Sequence, residues 1–442
     1  MAVQVLDFIH QLSFDQAPEN VQGAVRLALL DLLGVAASGT GTRLSRIIRE
    51  HAVNCFGSSG QTSRILFDGR RCSAPGAALA GGMLIDSIDA HDGHKLTKGH
   101  IGCGVLPAAL AYCDQDPETS EQELLAQLLL GYEFGCRAGI SLHATACDYH
   151  TSGAWIALAC AAIGARAMRL DADMTREALG IAEYHGPRSQ MMRTIDHPTM
   201  LKDGSGWGAM AGVSAALLAQ QGFTGAPALT IEAADVADIW CDLGDRWYVL
   251  EQYVKAYPVC RWSQPSIAAV LALKATHAFN SNDVRHIEIG TFHEACRLAC
   301  TEPETTEQAQ YSLPFPVAAA LVHNQVGIAQ IDGEGLHDQE VRRVSKLINM
   351  VEVDTYNEAF PARRISHARI ELQDGSVLES DPTEAAGDPE HPFDRTFIEN
   401  KFMDLAAPVL GEFGALALKD EVHRIGTKPT LGTLNALIYR TN

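Results

Sequence analysis

The sequence predicts a mainly α protein: a large all-helical domain carrying a smaller α+β lid domain. Three observations support this. Hydrophobic residues make up 47% of the chain, with aromatics only 7%, and Ala and Leu dominate. Up to about residue 266 the apolar runs are helix-length and bounded by helix starts and stops. After about residue 265 the texture changes, and residues 284–292 and 366–379 alternate apolar and polar side chains, the period of a strand. At 442 residues two domains are expected. They divide as 1–266 with 395–442, a discontinuous helical domain, and 267–394, the lid.

In chain order, residues 1–55 read as two helices, with 24–37 (AVRLALLDLLGVAA) apolar nearly all round as in a buried helix. Residues 56–75 are rich in Gly and Ser, with Ile65-Leu66-Phe67 before Asp68-Gly69, a small hairpin or a loop. Helices are expected at 75–88 and 104–113. Ser120, with Glu123 three residues on, predicts a capping box and a helix running toward Arg137. The small-residue run after Trp155, residues 171–184 and residues 205–221 read as further helices, the last packed tightly through Gly and Ala. In 366–379, Ala368, Ile370 and Leu372 share one face and Asp374-Gly375 gives the two-residue turn. Residues 381–392, rich in Pro, Gly and Asp, mark a boundary. The tail from 394 is helical again.

The net charge of −20 argues against nucleic acid or an anionic membrane as partner. It leaves room for a locally positive site that takes a small anion. Eleven cysteines without a C-x-x-C pair suggest reduced thiols and a cytoplasmic location. The N-terminus lacks the pattern of a signal peptide. Runs such as 154–165 fall short of the ~20 residues a membrane span needs. There is no dinucleotide fingerprint, P-loop or G-x-S-x-G elbow. Neither Cys nor His spacing specifies a metal, so no metal and no cofactor are expected.

The chemistry concentrates between Asp86 and Pro107, DSIDAHDGHKLTKGHIGCGVLP. Asp86, Asp89, Asp92, His91, His94, His100, Lys95 and Lys98 crowd one loop between two apolar segments, a setting suited to acid–base work. Further on, His150 stands in Asp148-Tyr149-His150-Thr151-Ser152 just before a helix, where the helix dipole favours the neutral base. Lys202 precedes a Gly-rich helix start and, if it points inward, can hold a carboxylate or act as a base. Lys255 lies in Lys255-Ala256-Tyr257-Pro258-Val259-Cys260, with Arg261 next, whose guanidinium can clamp a carboxylate. Tyr311 sits in Ala309-Gln310-Tyr311-Ser312-Leu313-Pro314-Phe315.

These segments, in this order, resemble the MmgE/PrpD family, which includes 2-methylcitrate dehydratase, cis-aconitate decarboxylase and iminodisuccinate epimerase. Asp89-Ala90-His91-Asp92-Gly93-His94 matches the family's D-x-D-D-T-H, with His91 and Gly93 where Asp and Thr are usual. His100-Ile101-Gly102 matches H-P-G, and Lys255 to Cys260 matches K-x-Y-P-x-C without a gap. His150, Lys202 and Tyr311 each match the family residue at their place, with Thr151 where the family has Pro.

The resemblance covers nearly the whole chain and implies the same division into a helical domain and a lid. It implies a cofactor-independent enzyme that moves a proton at the carbon next to a carboxylate of a small polycarboxylate. It also implies a homodimer. The catalytic set it suggests is His100, His150, Lys202, Tyr311 and Asp89, with His91, His94, Tyr149, Lys255 and Arg261 binding substrate; Arg261 is added from its chemistry alone. Tyr311 is expected to reach from the lid toward His100, His150 and Lys202. The changed loop motif points to the epimerase branch, acting on iminodisuccinate. A 2-methylcitrate dehydratase-like or cis-aconitate decarboxylase-like lyase is the alternative, and an inactive helical dimerisation scaffold is the non-enzyme reading.

Overall fold

The apolar run at 24–37 lies within a 21-residue helix, Glu19–Gly39, whose centre is buried. It is long and apolar enough to cross a membrane by length and composition, a feature the sequence reading had missed. Here 61% of its apolar window is buried, and it packs against the helix Arg395–Leu410. The computed structural model describes residues 3–440. Three helices, not two, precede residue 56: Val3–Gln11, Glu19–Gly39 and Arg43–Cys55. The 56–75 stretch contains a minimal hairpin, Ser63–Arg64 against Arg71–Cys72.

The chain divides into two compact units. The first holds the chain up to Met191, Asp203–Tyr253 and the chain from Phe393 on. Its centre is the helices Ala74–Asp86, Gly102–Cys113 and Gly153–Ala167, buried almost throughout, with one face of Ser205–Gln220. Small residues let their backbones close up. A Cβ on Gly82 would lie 2.6 Å from the Gly206 Cα, so neither position has room for a side chain. The helix Glu121–Thr145 runs well beyond Arg137. Ser120 accepts from the Glu123 N–H (3.1 Å), but the reciprocal half of the expected capping box is missing. The Glu123 carboxylate is taken by Arg166, which donates to both of its oxygens at 2.8 Å.

The second unit holds Met192–Lys202 and Val254–Pro392. Its sheet runs in the order Ile348–Glu352, Val284–Thr291, Ile365–Leu372, Val377–Glu379, with Thr383–Glu384 also on Ile365–Leu372. The first pair is parallel and the other pairs antiparallel. Ala368 and Ile370 are buried, and Gly375 turns with φ 87°. The unit begins at Val254 rather than near 267, because the helix Gln264–Thr276 packs on the strand Ile365–Leu372 and so belongs to the sheet's core. The short segment Met192–Lys202 also falls in this unit, which its sequence does not signal.

Candidate active site

The helix Ala74–Asp86 ends where its apolar run meets Asp86, and the next, Gly102–Cys113, begins just after His100. The loop between them is buried almost throughout, with Asp89 and Lys98 in the left-handed region (φ 55° each). So many polar groups are buried there because each has a partner.

His100 is fixed from every side. Its Nδ1 lies 2.5 Å from the Asp92 carbonyl oxygen, which can only accept, so Nδ1 carries the proton. Its N–H donates to Ser152 Oγ (2.9 Å), and the Ser152 hydroxyl donates to Asp203 Oδ2 (2.8 Å). Trp155 Nε1 donates to the His100 carbonyl at 2.9 Å. The other ring nitrogen, Nε2, faces Asp89 Oδ1 at 3.9 Å and Asp203 Oδ2 at 3.8 Å. Nε2 therefore lies between two carboxylates, placed to exchange a proton. His91 lies beside it, the rings tilted by 60° with centroids 4.3 Å apart, and its Nε2 is 3.7 Å from Asp86 Oδ1. Asp89, His91 and His100 each place one ligand atom within 4.8 Å of the others, an array that suits a metal ion as well as a proton.

Behind the loop lies a second polar layer. The Asp92 carboxylate accepts from Tyr132 Oη and from the Gly102 N–H (3.3 Å). Burial, and secondarily the charge of Asp31, hold the Asp92 carboxyl up to about 7 against the hydrogen bond from Tyr132. Asp31 pairs with Lys401 Nζ at 2.7 Å, and Lys401 also donates to the Ala90 carbonyl at 2.7 Å. The departure at Gly93 has a steric reason: Gly93 pairs with Tyr253, and a Cβ there would collide with the Tyr253 hydroxyl.

The other expected residues of this unit divide. The ring of His94 turns to Glu251 Oε2 (3.6 Å) and edge-on to Tyr248. Tyr149 receives Lys98 Nζ over its ring at 4.1 Å. His150 is half-buried, its Nδ1 on the Asp148 carbonyl (3.0 Å). Its pKa is lowered, as expected, but first by burial and then by Arg188 rather than by a helix dipole. The His150 N–H donates to His143 Nε2 at 3.1 Å. His143 therefore accepts and is neutral, and burial followed by Lys98 pushes its pKa down to about 3. A pocket of about 670 Å³ in this unit is lined by Arg188, Glu183, Tyr184 and Thr230.

In the second unit, Lys202 is buried with φ 50°. Its Nζ reaches Gln310 Oε1 at 2.5 Å and sits over the Tyr311 ring at 4.6 Å. The structure thus joins two expected residues and adds Gln310. Lys255 is fully buried in the same unit. Arg261, expected to clamp a substrate carboxylate, has several partners within the protein. It pairs with Asp388 at 2.8 Å and donates to the Ala385 and Ala386 carbonyls and to Gln264 Oε1. Asp388 thus gives the guanidinium a carboxylate within the same unit.

Within the first unit, the loop gathers carboxylates and two neighbouring histidines, groups suited to acid–base work. Comparison with known proteins supplies the family. The MmgE/PrpD N-terminal domain matches residues 3–242 and the MmgE/PrpD C-terminal domain matches residues 257–424. This chain belongs to the MmgE/PrpD family. It is also 21% identical to a cis-aconitate decarboxylase-like protein of Aspergillus oryzae, over 99% of this chain and 97% of that protein.

The sequence assigns no role to Ser152, Asp203, Tyr132, His143, Gln310 or Lys401. Ser152 and Gln310 lie inside stretches singled out above, and Asp203 follows Lys202 directly. Lys401 and Asp31 sit within helical runs, where nothing marks a residue as facing a loop far away in sequence.

Proposed function

We propose that this chain is a cofactor-independent acid–base enzyme acting at the carbon next to a carboxylate of a small polycarboxylate. The observation that carries the reading is the orientation of His100: its Nδ1–H is held by a carbonyl and its Nε2 is presented as base. Abstraction of the α-proton leaves negative charge on the adjoining carboxylate. A buried lysine such as Lys202, whose ammonium meets an amide oxygen and an aromatic face, suits that charge.

Within this class the preferred reaction is epimerisation of iminodisuccinate. One base removes the α-proton and a second conjugate acid returns one to the opposite face, so no atom is gained or lost. His100 and His150 are the two bases, with Lys202 in reserve. The lyase alternative draws support from the Aspergillus oryzae relative, whose name is that of a decarboxylase-like protein. A homodimer follows from the family and is checked by sedimentation.

Deuterium oxide separates these readings. An epimerase converts one pure stereoisomer of iminodisuccinate into the others with deuterium at the inverted carbon and no alkene. A decarboxylase given cis-aconitate releases carbon dioxide, and a dehydratase given 2-methylcitrate generates an absorbing alkene. Activity is expected to survive a chelator unchanged. Loss on chelation, restored by one divalent ion, would place a metal on Asp89, His91 and His100 instead.

A further inference from the structure

Among the described residues, one buried ion pair lies directly beneath the reacting loop and plays no part in the mechanism above. Lys401 comes from the helix Arg395–Leu410 and Asp31 from the helix Glu19–Gly39. They are 9% and 2% exposed, and their charged atoms are 2.7 Å apart. A buried pair of this kind is weak grounds for stability by itself, because desolvation offsets much of the attraction. Lys401, however, spends a second proton elsewhere. Its Nζ donates to the Ala90 carbonyl, 311 positions back in the sequence, at 2.7 Å.

Ala90 is a telling place for that bond. The residue before it, Asp89, is held in the left-handed region at φ 55°, a strained backbone for a non-glycine residue that needs support from its surroundings. Asp89 faces His100 Nε2. Two residues after Ala90, the Asp92 carbonyl receives the His100 Nδ1 proton. The carbonyl that Lys401 grips thus lies between the carboxylate on one ring nitrogen and the acceptor on the other. A charge-assisted bond to a backbone oxygen is strong enough to hold such a turn, and Asp31 keeps the buried ammonium compensated.

We propose that Lys401, neutralised by Asp31, is a positioning residue: its bond to the Ala90 carbonyl sets the loop backbone so that His100 presents Nε2 as the base. The function proposed above supplies the role of His100, but the tautomer of His100 can be read without any substrate.

The experiment compares two double variants with the wild type. In Lys401→Met/Asp31→Leu the pair becomes apolar, so the fold is kept while the donor to Ala90 is lost. In Lys401→Gln/Asp31→Asn the charge is lost but an amide donor remains. Imidazole ¹⁵N spectra, assigned with His100→Gln, report the tautomer. The wild type should show a single Nδ1–H tautomer for His100. The apolar variant should show a mixture of tautomers, a kcat at least ten-fold lower and a KM within about three-fold, while the amide variant should keep the tautomer. A folded apolar variant that retains the single tautomer overturns the proposal and leaves the pair a packing device. Should the apolar variant fail to fold, the amide variant decides, since loss of the tautomer with the donor present also overturns it. Retained tautomer control without turnover on any polycarboxylate would count against the proposed function and not against the positioning role.

Discussion

The 86–107 loop and the Lys202 group bury charge in opposite ways. In the loop, histidines are set among carboxylates: Asp86 beside His91, and Asp89 and Asp203 beside His100. Around Lys202 the named partners carry no charge, being the Gln310 amide and the Tyr311 ring. A base placed among anions is suited to taking and returning a proton. An ammonium among neutral groups keeps its field for an incoming anion. Arg261 provides the contrast inside the second unit, since its charge is matched by Asp388 and its donors by backbone carbonyls. Two buried cations in one unit can therefore differ in role, and their partners tell them apart.

The sharpest test of this contrast is activity. His100→Ala should lower kcat on the accepted substrate by about 10²–10⁴-fold, the usual contribution of a general base. His150→Ala should also impair turnover, and in deuterium oxide it should leave exchange at one face while blocking inversion. Lys202→Met should act mainly through KM and kcat/KM, with an unfolding midpoint near that of the wild type. Near-normal kinetics in both histidine variants would remove the assignment of bases even though the family stands.

Arg261 should respond in stability instead. Arg261→Met leaves Asp388 buried without its guanidinium, and breaking such a pair costs about 3–5 kcal/mol. Urea unfolding should show this loss, and Arg261→Met/Asp388→Leu should recover much of it. If Arg261→Met unfolds like the wild type but raises KM steeply, the guanidinium serves substrate after all.

Much of this was legible in the sequence, and the reasons differ by element. The Asp86–Pro107 loop stood out because titratable residues interrupt two apolar runs, and the strand Ile365–Leu372 because its alternation survives in its burial. The pairing of Arg261 with Asp388 was not legible. A guanidinium next to a motif looks the same whether its carboxylate comes from substrate or from Asp388, 127 positions later in the chain. The membrane-length Glu19–Gly39 was missed because its polar residues, Asp31 among them, break the run in sequence while the helix continues through them. Lys202 and Tyr311 were singled out separately, and only the fold shows the ammonium over the ring. Helical periodicity predicts which residues are buried but not which distant loop they touch, so Lys401 and Tyr132 could not be placed.

The second polar layer makes a pH-dependent prediction. Asp92 is raised to about 7 in the folded chain, against about 4 for an unfolded Asp. The folded state thus binds the proton more tightly. The stability this confers is present in full below the unfolded value and is lost as pH rises through about 7. Asp92→Asn removes that loss. Its unfolding free energy relative to wild type should climb between pH 4 and 7 by up to roughly 4 kcal/mol and then level off. A difference that stays flat across this range would mean that Asp92 titrates normally.

The smallest expected effect concerns the motif's departure at Gly93. Restoring the family's residue with Gly93→Thr puts a Cβ against the Tyr253 hydroxyl and ring, with the Gly99 carbonyl oxygen 2.7 Å away. Overpacking of this sort costs about 1–3 kcal/mol. Removing the phenol in Gly93→Thr/Tyr253→Ala should return part of that loss, because the threonine then fills space the ring has left. The recovery should be incomplete, because the Gly99 carbonyl remains in place. Two single losses that simply add would show that the clash is relieved elsewhere in the loop. A coupling of more than about 0.5 kcal/mol in thermal or urea unfolding would show that Gly93 and Tyr253 are one packing choice, made together where the family pattern carries a threonine.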